Sequence, residues 1–97
     1  MRHLTTPQEA VQWLRACGAT DLRTDSRQLV AGNAFIAWPG AAADGRAFVN
    51  NALASGAVAC LVEQDGASTF EFDTRSVAIY AGLKADAGLI ADAFYGQ

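Results

Sequence analysis

Two uninterrupted apolar runs, Ala34-Phe35-Ile36-Ala37-Trp38 and Ala57-Val58-Ala59-Cys60-Leu61-Val62, constrain this chain more than any other feature. A strand covered on one face alternates apolar and polar residues, whereas these runs read as strands covered on both faces. Between them, residues 47–55 set Phe48, Ala52 and Leu53 on one face of a helix, and Gly56 supplies a stop. Strand, helix, strand is the βαβ unit, which joins parallel strands by a crossover that is almost always right-handed.

The flanking segments extend this unit. Thr6-Pro7-Gln8-Glu9 combines an N-cap hydroxyl, a proline at the first helical position and a capping-box glutamate. Ala10, Val11, Leu14 and Cys17 then recur at helical spacing with Trp13 on the flank, predicting a helix over 7–17 that stops at Gly18. From Asp21 the period becomes two, which places Leu22, Thr24 and Ser26 on one face of a short strand and Arg23, Asp25 and Arg27 on the other. A turn is expected around Ala31-Gly32-Asn33. Residues 64–74, with Asp65-Gly66, read as a surface turn flanked by a weak edge strand over 69–72. A buried strand over 77–80 precedes a helix over 83–95 with Leu83, Ala87, Ile90, Ala91 and Phe94 on one stripe.

At 97 residues there is room for one core, and 52% apolar against 18% charged residues excludes a disordered chain. The expected fold is a single α/β domain, a small mixed, mostly parallel sheet of about four to five strands with about three helices. Seven Lys plus Arg against ten Asp plus Glu leave a net charge of −3, so no positive field holds a polyanion and no nucleic-acid partner is expected. No run approaches the roughly 20 apolar residues of a membrane span, and the first residues lack the apolar stretch of a signal peptide. Cys17 and Cys60 show neither metal-ligand nor disulfide-scaffold spacing and read as inert core thiols in a reducing cytoplasm. Trp13 and Trp38 read as fillers of core or interface.

Two segments carry candidate chemistry. Asp25-Ser26-Arg27 has the composition of a catalytic trio, but the lone His3 lies near a terminus expected to fray, so no general base is at hand and no catalytic residue is assigned. Thr24 and Ser26, two residues apart, can converge their hydroxyls on one ligand. In Gly40-Ala41-Ala42-Ala43-Asp44-Gly45 the side chains before Asp44 are small enough for backbone amides to reach a phosphate or a base edge. Such a loop leaves the carboxyl end of a strand, where open α/β sheets bind ligands, although plain strand-to-helix connections look alike. No Gly-Lys-Ser/Thr follows it, so it is not a phosphate loop for ATP. Arg23, Arg27 and Arg46 flank the two segments, and arginine grips diphosphate in a bidentate fork. Asp44 and Arg46 serve equally well paired with Arg27 and Asp25 to fix the loop against the strand.

The ordered blocks Thr24-Asp25-Ser26-Arg27, Ala31-Gly32-Asn33-Ala34-Phe35-Ile36-Ala37, Gly40, Asp44-Gly45-Arg46, Gly56-Ala57-Val58-Ala59-Cys60-Leu61-Val62-Glu63 and Phe94-Tyr95-Gly96 resemble the N-terminal domain of the Mur ligases. The resemblance spans nearly the whole chain. Phe94-Tyr95-Gly96 resembles the MurE branch, which adds the third peptide residue to UDP-N-acetylmuramoyl-L-alanyl-D-glutamate. The resemblance implies that Thr24 and Ser26 contact the UDP-muramoyl substrate from the strand and Ala41, Ala42 and Ala43 from the loop, with Arg27, Asp44 and Arg46 in support. Many relatives carry larger polar residues at the start of that loop, whereas alanine here leaves only the backbone to bond.

The resemblance further implies a cytoplasmic enzyme of peptidoglycan precursor synthesis. ATP and magnesium would activate the D-glutamate carboxylate as an acyl phosphate, which an amine, meso-diaminopimelate in the commonest case, converts to an amide. That chemistry is expected in central and C-terminal domains outside residues 1–97, so this chain is read as a fragment, inactive by itself and binding no cofactor or metal. Its expected partners are the UDP-N-acetylmuramoyl-dipeptide and those two domains, with no membrane. Two alternatives stand beside this reading: a MurF-type ligase, which shares the earlier blocks, and a non-catalytic protein-interaction module.

Overall fold

Both apolar runs form strands, and their side chains divide by the period of two. A computed structural model describes residues 1–72 and 75–96. Its strands are β1 (Arg2–Leu4), β2 (Leu22–Arg23), β3 (Ala34–Ala37), β4 (Ala59–Glu63) and β5 (Val77–Tyr80); its helices are α1 (Pro7–Ala16), α2 (Val49–Ala54) and α3 (Leu83–Tyr95). The sheet order is β1-β5-β4-β3-β2, and the α/β fold expected, a mostly parallel sheet of four to five strands with three helices, is formed with every described strand pairing parallel. Among the described residues no tight hairpin joins two strands, and each connection is long enough to return the chain to the starting end of the sheet.

Ala34, Ile36, Ala59, Leu61, Ala78 and Tyr80 face α1 and α3, while Phe35, Ala37, Cys60, Val62, Val77 and Ile79 face α2. The register that sets Phe35 beside Cys60 and Ile36 beside Leu61 keeps each face continuous across the sheet. Cys60 is buried in the α2 layer, where desolvation pushes its thiol up to about 12; Cys17 is half-buried, and neither is in a disulfide. Trp13 of α1 is buried in the layer between that helix, α3 and the sheet, and the half-buried Trp38 packs against the same layer.

The first strand was not legible in the sequence. Arg2–Leu4 pairs with β5, so His3 lies opposite Ile79 in an ordered strand rather than a frayed end. The two-residue period from Asp21 yields a strand only over Leu22–Arg23, because the Asp25 carboxylate accepts the Arg27 N–H at 2.9 Å and starts a 3-10 turn over Ser26–Gln28. Thr24 and Ser26 are therefore not successive residues on one strand face. The helix expected over 47–55 opens as a 3-10 turn over Gly45–Phe48, and it buries Val49 and Ala52 while leaving Phe48 exposed. No strand forms over 69–72: Ala67–Thr69 is a 3-10 turn, and the Phe70 and Phe72 rings stack beyond it; residues 73 and 74 lie outside the described part.

Side chains from neighbouring elements fix α3 at both ends. Its first turn has no capping side chain of its own, and the Glu63 carboxylate at the end of β4 accepts the N–H groups of Gly82 and Leu83 at 3.3 and 3.0 Å. At the other end Arg15 of α1 donates to the carbonyls of Ala93 and Phe94. The Tyr95 hydroxyl donates to Asp21 and accepts the Leu22 N–H at 2.9 Å, tying α3 to β2. Gly56, where α2 turns into β4, has φ +107°, and a Cβ there would lie 2.9 Å from the Cα of Ala31. Only glycine fits that crossing.

Candidate functional site

The chain leaves β3 through Trp38-Pro39 and folds back on itself before α2. Pro39 and Asp44 form an antiparallel bridge, the Gly40 N–H donates to the Ala43 carbonyl at 2.9 Å, and the Gly45 N–H donates to the Trp38 carbonyl at 3.1 Å. A Cβ on Gly40 would sit 2.9 Å from the Ala43 oxygen, so close approach rather than an unusual dihedral requires glycine there. This turn rises at the carboxyl ends of the parallel strands and faces the turn that follows β2.

Between the two turns lies a cleft of about 540 Å³. Thr24, Asp25, Ser26 and Arg27 line one side, Gly40, Ala43, Gly45 and Phe48 the other, and β3 with Trp38 forms the floor. The structure thus brings together Thr24, Ser26, Arg27 and Ala43. Ala41 and Ala42 form the exposed tip of the turn, outside the lining. Among the described residues the hydroxyls of Thr24 and Ser26 make no intramolecular hydrogen bond, which leaves both able to donate to a ligand oxygen.

Asp44 and Arg46 build the turn rather than line the cleft. The Arg46 side chain is 5% exposed; its guanidinium forks onto the Asp44 carboxylate at 3.0 and 2.8 Å, donates to the Glu63 carbonyl at 2.9 Å and to that of Asp65, and lies over the Phe70 ring. Arg27 forks onto Asp25 and Arg23 pairs with Asp21, so each arginine takes the acid two residues before it. The alternative pairing of Asp44 and Arg46 with Arg27 and Asp25 is not formed. Arg27, with 87% of its side chain exposed, keeps its guanidinium in solvent at the cleft's rim. Phe48 is a lining residue that sequence reasoning missed, setting it on one helix face with Ala52 and Leu53, and no local pattern marked it for the cleft.

The fold and the cleft can be set against known proteins. Residues 19–88 match a family model described as Mur ligase family, catalytic domain. The chain belongs to the Mur ligase family. It is 53% identical over 94 residues to a UDP-N-acetylmuramoyl-L-alanyl-D-glutamate--2,6-diaminopimelate ligase of Acidovorax sp. (strain JS42), covering 97% of this chain and 19% of that protein. A ligase of the same name from Janthinobacterium sp. (strain Marseille) is 40% identical over 101 residues, covering 100% of this chain and 20% of its own length. One from Pseudomonas aeruginosa is 38% identical over 77 residues, with 79% of this chain and 16% of that protein covered. The chain thus spans about a fifth of the length of the curated relatives it matches. Both cleft walls fall within the stretch that matches the Mur ligase family. Among the described residues no helix is long and apolar enough to cross a membrane.

The clamp under the Mur ligase turn also sets a pH dependence. The hydrogen bonds from Arg46 hold the Asp44 carboxyl below the usual carboxylate range. A depressed folded value contributes stability that is complete above the unfolded value of about 4 and is lost as pH falls through the folded one. Urea unfolding followed between about pH 6 and 2 should show wild-type stability falling below about pH 4, with a shallower fall in Asp44→Asn. Equal acid sensitivity in both proteins would contradict a stabilising role for the pair.

Proposed function

We propose that this chain holds the uridine-diphosphate end of UDP-N-acetylmuramoyl-L-alanyl-D-glutamate for an ATP-dependent ligase that adds the third peptide residue, meso-diaminopimelate, in peptidoglycan precursor synthesis. The observation that carries the reading is the cleft at the carboxyl ends of β2 and β3, where two unpaired hydroxyls face a turn of small residues. Ligands of open α/β sheets lie at that end, and small side chains admit backbone amides to phosphate oxygens. The names of the relatives favour this substrate over that of a MurF-type ligase, and membership of a ligase family favours it over a bare interaction module.

Thr24 and Ser26 donate to the diphosphate or the base from one wall, and the backbone at Ala43 serves the other, with Ala41 and Ala42 at the exposed tip of the same turn beyond the lining. Arg27 adds charge at the rim, while Asp44 and Arg46 keep the turn in place. ATP activates the distant carboxylate in such a ligase. No Gly-Lys-Ser/Thr is present, and the described residues hold no group of three or more His, Cys, Asp or Glu side chains fit for a metal, so no step through ATP or magnesium is assigned to this chain. Its contribution is remote binding energy: gripping the nucleotide end delivers the far carboxylate in a reactive pose. Titration of the isotope-labelled chain with UDP-N-acetylmuramoyl-L-alanyl-D-glutamate should move the amide resonances of residues 24–27 and 40–45. Shifts confined to another face, or none at saturating ligand, would overturn the assignment of the cleft.

A further inference from the structure

We propose that the Phe48 ring is the surface on which the base of the bound nucleotide stacks, so that the cleft selects a planar, unsaturated base; the inference rests on the function proposed above. Three aromatic side chains line the cleft: Phe35, Trp38 and Phe48. Phe35 is 1% exposed within the α2 layer, and Trp38 packs against the layer on the opposite face of the sheet. Phe48 is 40% exposed and belongs to neither packed layer. Of the large apolar side chains left exposed among the described residues, it alone lines the cleft.

Its backbone is held firmly although its ring is not buried. Phe48 closes the 3-10 turn that begins at the Asp44 cap, and Val49 and Ala52 bury the helix that follows. Within the same turn the buried Arg46 side chain ties the segment to the carbonyls of Glu63 and Asp65. An exposed ring on an anchored turn is pre-organised for contact with a flat partner, because little conformational freedom remains to be lost on binding. The other groups on the walls are two hydroxyls, the Asp25 carboxylate with the Arg27 guanidinium forked onto it, and small residues, none of which offers a ring face. Stacking of a base on an aromatic side chain supplies the missing apolar contact.

The test compares UDP with 5,6-dihydro-UDP, whose base is puckered and lacks the π system, on the wild-type chain, Phe48→Tyr and Phe48→Leu. The wild type and Phe48→Tyr should bind UDP about 10-fold more tightly than the dihydro analogue, with the uracil proton resonances shifted upfield by the ring. Phe48→Leu, with its melting temperature unchanged, should bind the two alike. Retention of the full preference in Phe48→Leu would overturn the stacking role while leaving the cleft assignment intact. Failure of the wild type to bind either nucleotide would overturn both.

Discussion

An Arg46→Ala variant should lose about 3 kcal/mol or more of folding stability, a large share of the roughly 5–15 kcal/mol available to a domain. The arginine is nearly fully buried, and its removal takes the guanidinium from the Asp44 carboxylate and from the carbonyls of Glu63 and Asp65 together. The carbonyls lose that buried donor, and the half-buried carboxylate keeps only the N–H of residue 46 and solvent. Arg46→Lys should recover less than half of the loss, because an ammonium cannot fork onto the carboxylate while also serving two carbonyls. Urea denaturation with matched slopes measures both. A change below about 1 kcal/mol in Arg46→Ala would mean that the turn holds itself together without the clamp.

The second large effect concerns the ligand. Thr24→Val combined with Ser26→Ala should weaken binding of UDP-N-acetylmuramoyl-L-alanyl-D-glutamate about 100-fold, since a hydrogen bond to a charged group contributes roughly 1.5–3 kcal/mol and each tenfold step is about 1.4. Neither hydroxyl has an intramolecular partner among the described residues, so the fold should be little affected. In the complete ligase the same change should lower kcat/KM about 100-fold, through KM and also through kcat, because the grip on the nucleotide sets the pose of the distant carboxylate. A fall in kcat at unchanged KM would place these residues in the chemistry instead.

Much of this architecture was legible because it rests on local rules. The helix over Leu83–Tyr95 and the strand over Val77–Tyr80 follow from apolar periodicity, and the capping box at Thr6 and Glu9 marks the start of α1. Where the reading failed, a tertiary pairing or an unread local cap decided. Arg2–Leu4 is too short to show a period, and β5 makes it a strand. Asp25 ends β2 early by capping its own turn, which broke the reasoning that placed Thr24 and Ser26 on one face but left both at one cleft.

The three arginines illustrate the limit most clearly. Asp21-Leu22-Arg23, Asp25-Ser26-Arg27 and Asp44-Gly45-Arg46 share one spacing and one local ion pair, yet only Arg46 is buried. What distinguishes it are the carbonyls of Glu63 and Asp65, which no local pattern brings near. Phe48 was drawn into the core by its place on a helical stripe; the 3-10 turn rotates it away and gives the inward position to Val49.

A crystal structure of the chain soaked with UDP-N-acetylmuramoyl-L-alanyl-D-glutamate tests the central claim most directly. The account expects density for the nucleotide between residues 24–27 and 40–45, with diphosphate or base oxygens within hydrogen-bonding distance of the Thr24 and Ser26 hydroxyls. Nucleotide bound with full occupancy on any other face, with this cleft filled only by solvent, would contradict it.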